Sequence, residues 1–293
     1  MQDNLGSGKR LESDSEMWTT IIRPSHPWYS LELAEIWRYR DLIFLFVRRD
    51  FVAQYKQTIL GPIWFLLQPL FTTIIFTVVF GRIAKIPTDG MPDFLFYLSG
   101  TVCWGYFAAS LQEISNTFIA NAQIFGKVYF PRLVIPISIV ISNIFKYLIQ
   151  FVLFLGFLFY YYLRGANISP SWWGLALPLL ILQMALLGIA CGILISSMTT
   201  KYRDLSLVVG FGIQLWMFVT PVVYPLSQIP MKYRHYFAAN PMAPVIETFR
   251  SIFLGTKPLN IEYFILGWLS TLTLLFLGLI LFRRVEKNFM DTI

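Results

Sequence analysis

Residues 60–80 read LGPIWFLLQPLFTTIIFTVVF. From Ile63 onward the run is continuous and apolar. It is long enough to cross a bilayer core of about 30 Å, which needs roughly 20 residues of helix. Its mouth is unusual, because a Gly-Pro pair, a tryptophan, a glutamine and a second proline crowd into 60–69. Glycine and proline weaken a helix, and an amide is unwelcome in lipid. A joint explains the pattern. Gly61 permits a sharp turn, and Pro62 fits a first helical turn, where its missing N–H costs nothing. Trp64 and Gln68 then lie one above the other on a single face. Leu60, Gly61 and Pro62 are the expected joint.

The rest of the chain carries the same signal. Its 293 residues are 56% hydrophobic and only 13% charged, with a mean hydropathy of +0.61. A soluble domain carries roughly 25% charged residues, so this chain has about half the charge a water-facing surface needs. The apolar runs are continuous rather than alternating, which excludes barrel strands. The expected fold is therefore an all-α membrane protein with six transmembrane helices, at 62–81, 94–111, 133–163, 174–198, 205–224 and 262–282. The first 30 residues lack the apolar core of a signal peptide, and 1–29 reads as a flexible tail. Cys103 and Cys191 both fall inside apolar runs, where small packing is their simplest role. His26 and His235 share no motif, so no metal site is expected.

Charge orients the spans. Fifteen Lys and Arg residues fall on the side of the amino-terminal arm, 127–132, 201–203 and the carboxy-terminal end, and seven on the other. The positive-inside rule then puts both termini in the cytoplasm. The net charge of +7 calls for no nucleic acid.

Three segments stand outside the runs. Residues 30–58 mix Leu33, Ile36, Trp37, Ile43, Phe44, Val47 and Phe51 with Arg38, Arg40, Arg48, Arg49 and Lys56. This is a basic amphipathic stretch suited to the cytoplasmic interface, and a plain surface anchor would look the same. Residues 113–132 are too polar to span and too long for a tight turn. A short helix ending near Gly126, then an extended stretch stopped by Pro131, fits them. Ile124, Lys127, Val128, Tyr129 and Phe130 there form either a docking knob for a cytoplasmic partner or a structured loop. Residues 224–259 hold prolines ahead of PVIETFRSIFL, a helical piece too short to cross. It reads as a re-entrant element on the outer side, which membrane depth tolerates only where protein or a water-filled cavity covers it.

Energy for transport is not visible in this chain. The P-loop pattern is missing, since DNLGSGKR has Asp3 in place of its first glycine and Arg10 in place of Ser or Thr. No run of intramembrane acids resembles a proton relay. ATP hydrolysis would have to come from another polypeptide, received at 113–132. A membrane-embedded glycosyltransferase would need clustered catalytic groups, whereas Asp41, Asp50, Asp89, Asp93, Glu113, Asp204, Glu247 and Glu262 are scattered.

The strings LGPIWFLLQPL (60–70), KVYFPRLVIP (127–136), KYRDL (201–205), TPVVYPLSQIP (220–230) and KYRHYFAANPMAPVIETFR (232–250) resemble the polysaccharide branch of the type-2 ABC exporter permeases. The resemblance runs from about residue 30 to the carboxy terminus. It implies a permease for O-antigen, capsular or teichoic-acid chains on a lipid carrier, in the bacterial inner membrane. It also implies a homodimer with two copies of a separate ATP-binding subunit, with ATP and Mg on that partner and no cofactor here. In its terms 30–58 is the gate helix, Leu60, Gly61 and Pro62 are the cytoplasmic gate, 113–132 contains the coupling helix, 224–259 is the outer re-entrant region, and 59–293 is one transmembrane domain. A permease of the same superfamily exporting a drug or small lipid is the alternative.

A moving glycan needs many weak contacts, since tight sites would stall it. Three faces offer aromatics among amides and small residues: Trp64, Gln68, Phe71 and Ile75; Tyr97, Thr101, Trp104 and Ala108; and Gly210, Gln214, Met217, Pro221 and Tyr224. Each face either lines a path or packs. Arg38, Arg48, Arg49 and Lys56 match the oxygens of a lipid pyrophosphate, and ordinary headgroups would satisfy them equally. Lys146, inside the third run, either snorkels to the interface or pairs with Glu113.

Overall fold

The structure, a computed structural model, describes residues 33–55, 61, 63–199, 204–230, 232–233, 237, 240–255 and 260–288. The expected tail at 1–29, Lys56, Leu60, Pro62 and residues 201–203 of the KYRDL string lie outside the described residues. Among those described, helices are the only regular elements. In lipid every backbone polar group must be satisfied within the segment, which a helix alone achieves for a single apolar run.

Two short helices come first, α1 (Leu33–Arg38) and α2 (Arg40–Tyr55). Gly61 then turns at a positive φ of 50°, a conformation glycine adopts freely. The first span, α3 (Ile63–Phe76), continues as a π-helix over Thr77–Ile83. Next come α4 (Asp93–Ser115), the single-turn helices α5 (Thr117–Ala120) and α6 (Ala122–Phe125), and α7 (Val134–Leu163). A 3-10 turn at Trp172–Ala176 leads into α8 (Leu177–Thr199), which α9 (Leu205–Val219), α10 (Met242–Leu254) and α11 (Ile261–Asn288) follow.

Among the described residues, five helical stretches are long and apolar enough to cross a membrane: Ile63–Ile83, Asp93–Ser115, Val134–Leu163, Trp172–Thr199 and Ile261–Val285. The sixth expected span is shorter than expected. α9 has 15 residues, about 22 Å at 1.5 Å per residue, and ends at Val219 rather than 224. The cause is local. Thr220 precedes Pro221, and a residue before proline is pushed out of the helical region; Thr220 is extended, with ψ 144°. Its hydroxyl donates to the Trp216 carbonyl at 2.8 Å and closes the last turn. α11 departs the other way, running past 282 to Asn288.

The core is built on α4, whose residues from Leu95 to Trp104 are all buried. Small residues let α8 come close on one side, as in membrane helix pairs generally. A Cβ added at Gly188 would lie 3.0 Å from the Ser110 side chain, and one at Gly192 would lie 2.6 Å from Ile114. On its other side α8 meets α11, where a Cβ at Gly278 would lie 2.7 Å from the Ala190 carbonyl. Both cysteines are buried and free.

The segment before α11 holds α10, 13 residues long and so about 20 Å, too short to cross. Pro241 caps it and Pro244 sits in its first turn, where no N–H donor is required. It stops at Gly255, left-handed at φ 69°, whose added Cβ would collide with the Ser169 carbonyl. The Ser171 N–H donates to the Ile252 carbonyl at 2.8 Å, tying the loop after α7 to this end.

Candidate functional site

At one end of the helices, α2 meets the 113–132 segment. On α2, Ile43, Phe46 and Val47 are buried, the i, i+3, i+4 spacing of one helix face. Phe46 packs on Phe130 with centroids 5.9 Å apart, and Phe51 meets Phe145 of α7 edge-on at the same distance. Arg38, Arg48 and Arg49 are all exposed. Arg49 is already engaged, 2.8 Å from Asp50 and over the Phe46 ring at 4.7 Å. Of the expected gate, only Gly61 lies within the described residues, and it makes the turn.

In the 113–132 segment, Val128 and Tyr129 are 57% and 79% exposed. Lys127 is exposed beside them and Ile124 is half-buried. Phe130 is corrected: it is 5% exposed and packs inward between Phe46 and Phe125. It is a fastener to α2, and Lys127–Tyr129 is the exposed part of the segment. Arg132 stacks over Phe118 and Phe125 at 5.8 and 5.6 Å, fixing the segment just after these residues.

The three aromatic faces separate. Trp64 and Phe71 are each 55% exposed, and Gln68 lies exposed between them. Gln214 on α9 is also exposed. An amide left on lipid has no partner there and costs about 1–3 kcal/mol, so these glutamines favour a polar or protein-covered neighbour. The face on α4 is different. Tyr97 and Trp104 are 0% and 5% exposed, because α3 and α9 fill it. Phe76 meets the Tyr97 ring at 6.3 Å, Thr73 and Thr101 share a hydroxyl bond of 3.1 Å, and Trp216 meets Trp104 at 6.1 Å. Within the protomer these side chains present no surface. Tyr224 and Pro221 are off the α9 face altogether, since the helix ends before them. The Tyr224 hydroxyl donates to the Phe218 carbonyl at 3.1 Å.

Glu113 and Lys146 come together, with Nζ 3.0 Å from Oε1. The Asn143 amide donates to the other carboxylate oxygen at 3.3 Å, and Lys146 lies 5.8 Å from the Phe65 ring centroid. Lys146 is twelve residues into α7, about 18 Å along it. At such depth an unpaired charge costs about 2.5–3.5 kcal/mol, and the carboxylate partner offsets that.

Sequence reasoning passed over Arg250 as an outer-side charge. Among the described residues it is the largest fully buried side chain, 1% exposed. Its guanidinium donates to the carbonyls of Pro221 and Val222 at 2.7 Å each, to the Phe96 carbonyl at 3.2 Å and to Ser99 Oγ at 3.2 Å. It lies 3.6 Å over the Phe96 ring and 3.6 Å from Glu247 Oε1. Glu247 in turn accepts from the Leu226 N–H at 3.4 Å. One side chain thus ties α10 to α4 and to the extended stretch beyond α9. The available signal was an arginine three residues after a glutamate inside an apolar helix. Among the described residues no three His, Cys, Asp or Glu side chains gather to hold a metal.

Comparison with known proteins follows this geometry. Residues 41–254 match the ABC-2 type transporter family. The chain is similar to the O-antigen export system permease protein RfbA of Klebsiella pneumoniae, 31% identical over 252 residues, covering 86% of this chain and 94% of that protein. It is 25% identical over 261 residues to the RfbA permease of Myxococcus xanthus, covering 88% and 98%. The polysialic acid transport protein KpsM of Escherichia coli is 24% identical over 247 residues, covering 82% and 91%. With the matched region running from α2 to the end of α10, the chain is a multi-pass membrane protein of the ABC-2 type transporter family.

Proposed function

We propose that the chain is the transmembrane permease subunit of an ATP-driven exporter. It moves lipid-linked polysaccharide, of O-antigen, capsular or teichoic-acid type, from the cytoplasmic side across the bacterial inner membrane. The observation that carries this reading is the likeness to O-antigen export and polysialic acid transport proteins over at least 82% of the chain. In this reading the five long spans and α9 make six crossings, with both termini in the cytoplasm. Two copies enclose the path, and two copies of a separate ATP-binding subunit supply the energy, with ATP and Mg held there. α1 and α2 with the Gly61 turn serve as the gate, and Arg38 and Arg48 meet the carrier's pyrophosphate. Lys127–Tyr129 receives the partner, and α10 is the outer re-entrant element. Trp64, Gln68, Phe71 and Gln214 are the path residues the geometry favours, being exposed on the protomer.

Removal of the gene from its bacterium tests this. Surface polymer should be lost while lipid-linked polymer accumulates inside, and a plasmid copy should restore both. Unchanged surface polymer, with a change in drug or small-lipid efflux instead, would overturn the reading.

A further inference from the structure

Pro69 is the seventh residue of α3, well inside the helix. Every other proline of the described helices falls in a first turn, as Pro136, Pro178 and Pro244 do. In an α-helix the carbonyl of residue i accepts from the N–H of i+4, and proline has none to give. The Phe65 carbonyl therefore lacks its i+4 donor. Gln150 of α7 supplies one: its Nε2 donates to the Phe65 carbonyl at 3.2 Å, across 85 residues of sequence. The same amide rests over Gly105 of α4, where an added Cβ would lie 3.7 Å from Oε1.

Gln150 belongs to a polar row on α7. Asn143, Lys146 and Gln150 follow at i, i+3 and i+7, one helical face. Asn143 donates to Ser110 at 3.4 Å and to Glu113 at 3.3 Å, and Lys146 pairs with Glu113 at 3.0 Å. Lys146 also reaches the Phe65 ring at 5.8 Å. The row thus grips the proline break of the first span and, one turn away, the inner end of α4, from which α5 and α6 continue. Spans of plain packing need no such row. Three amide or ammonium side chains at membrane depth are costly unless partnered, and each of the three has its partner on α3 or α4.

From this we infer that Gln150 is a positioning residue for export: it holds the Pro69 break of the first span against α7, so that movement received at 113–132 reaches the face bearing Trp64 and Gln68. The inference rests on the reading of 113–132 as the ATPase-facing segment.

The test uses the full permease assembled with its ATP-binding subunit, comparing Gln150→Leu with the double variant Gln150→Leu, Pro69→Ala. The double variant restores a backbone donor to the Phe65 carbonyl without restoring the tie to α7. In Gln150→Leu, assembly and ATP hydrolysis should stay within about twofold while polymer export falls about tenfold, the scale on which residues along a coupling route act. In the double variant any lost thermal stability should return and export should stay low. Export that recovers in the double variant would overturn the inference, leaving Gln150 as a filler of one bond. Normal export in Gln150→Leu would overturn it outright. If Gln150→Leu alone fails to assemble, the double variant decides by the same criterion. A third variant, Val128→Asp, separates the two readings. Retained partner binding and export in Val128→Asp would sink the coupling role of 113–132, whatever Gln150 does.

Discussion

At the scale of single residues, the largest stake lies at Arg250. A guanidinium taken fully out of water is tolerable only when its donors are used, and four acceptors use them here. Two of these carbonyls, Pro221 and Val222, lie just beyond the end of α9, in backbone that no helix satisfies. Arg250→Ala leaves them and Glu247 facing a void, and removal of one partner from a buried charged network costs about 3–5 kcal/mol. We expect that variant to be lost from the membrane fraction. Arg250→Lys should assemble but melt at lower temperature, because three donors on a point charge cannot reproduce a planar fork. A Lys variant with unchanged melting temperature would show that charge alone, and not the fork, holds α10. The crowding around it points the same way: a Cβ at Gly100 would lie 2.9 Å from Arg250 Nη2.

At the scale of elements, much was legible and the misses share a cause. Long apolar runs announce spans because lipid demands internally bonded helices, and the joint at Gly61 followed from glycine and proline chemistry. The Glu113–Lys146 pair was readable because an isolated charge at such depth needs an answer. Which aromatic face packs was not readable. Tyr97 and Trp104 look like Trp64 and Phe71 in sequence, and only the arrival of α3 and α9 at one face of α4 decides between them. Phe130 turned inward for a similar reason, since Phe46 comes from a distant helix. The end of α9 could have been read from Thr220–Pro221 by the same pre-proline rule used elsewhere. The α4–α8 contact gives the element-scale prediction. Gly192→Ala places a Cβ 2.6 Å from both Cβ and Cγ2 of Ile114, which no rotamer of Ile114 relieves. Overpacking of this kind costs about 1–3 kcal/mol, so thermal denaturation in detergent should show a clear loss. Gly212→Ala, whose added Cβ meets nothing within 4 Å beyond its own helix backbone, should show none.

At the scale of the whole molecule, the arrangement divides into a clamped end around α10 and a jointed end around α2. At the first, Arg250 and the loop after α7 tie α10 to its surroundings, α4 among them. At the second, α3 with its internal proline, α2 and the fastener Phe130 meet close to α7. The exposed amides Gln68 and Gln214 lie on open faces of α3 and α9, which suits the proposed path completed by a second copy. Transport driven through the jointed end, as proposed, is then the claim on which the rest depends. The direct measurement is co-reconstitution of the permease with its ATP-binding subunit in inside-out vesicles, scoring lipid-linked polysaccharide that becomes protected in the lumen. Protection should rise with ATP and vanish with a partner unable to hydrolyse it. Equal protection without ATP, or none with an active partner while a small hydrophobic dye is carried, would contradict it.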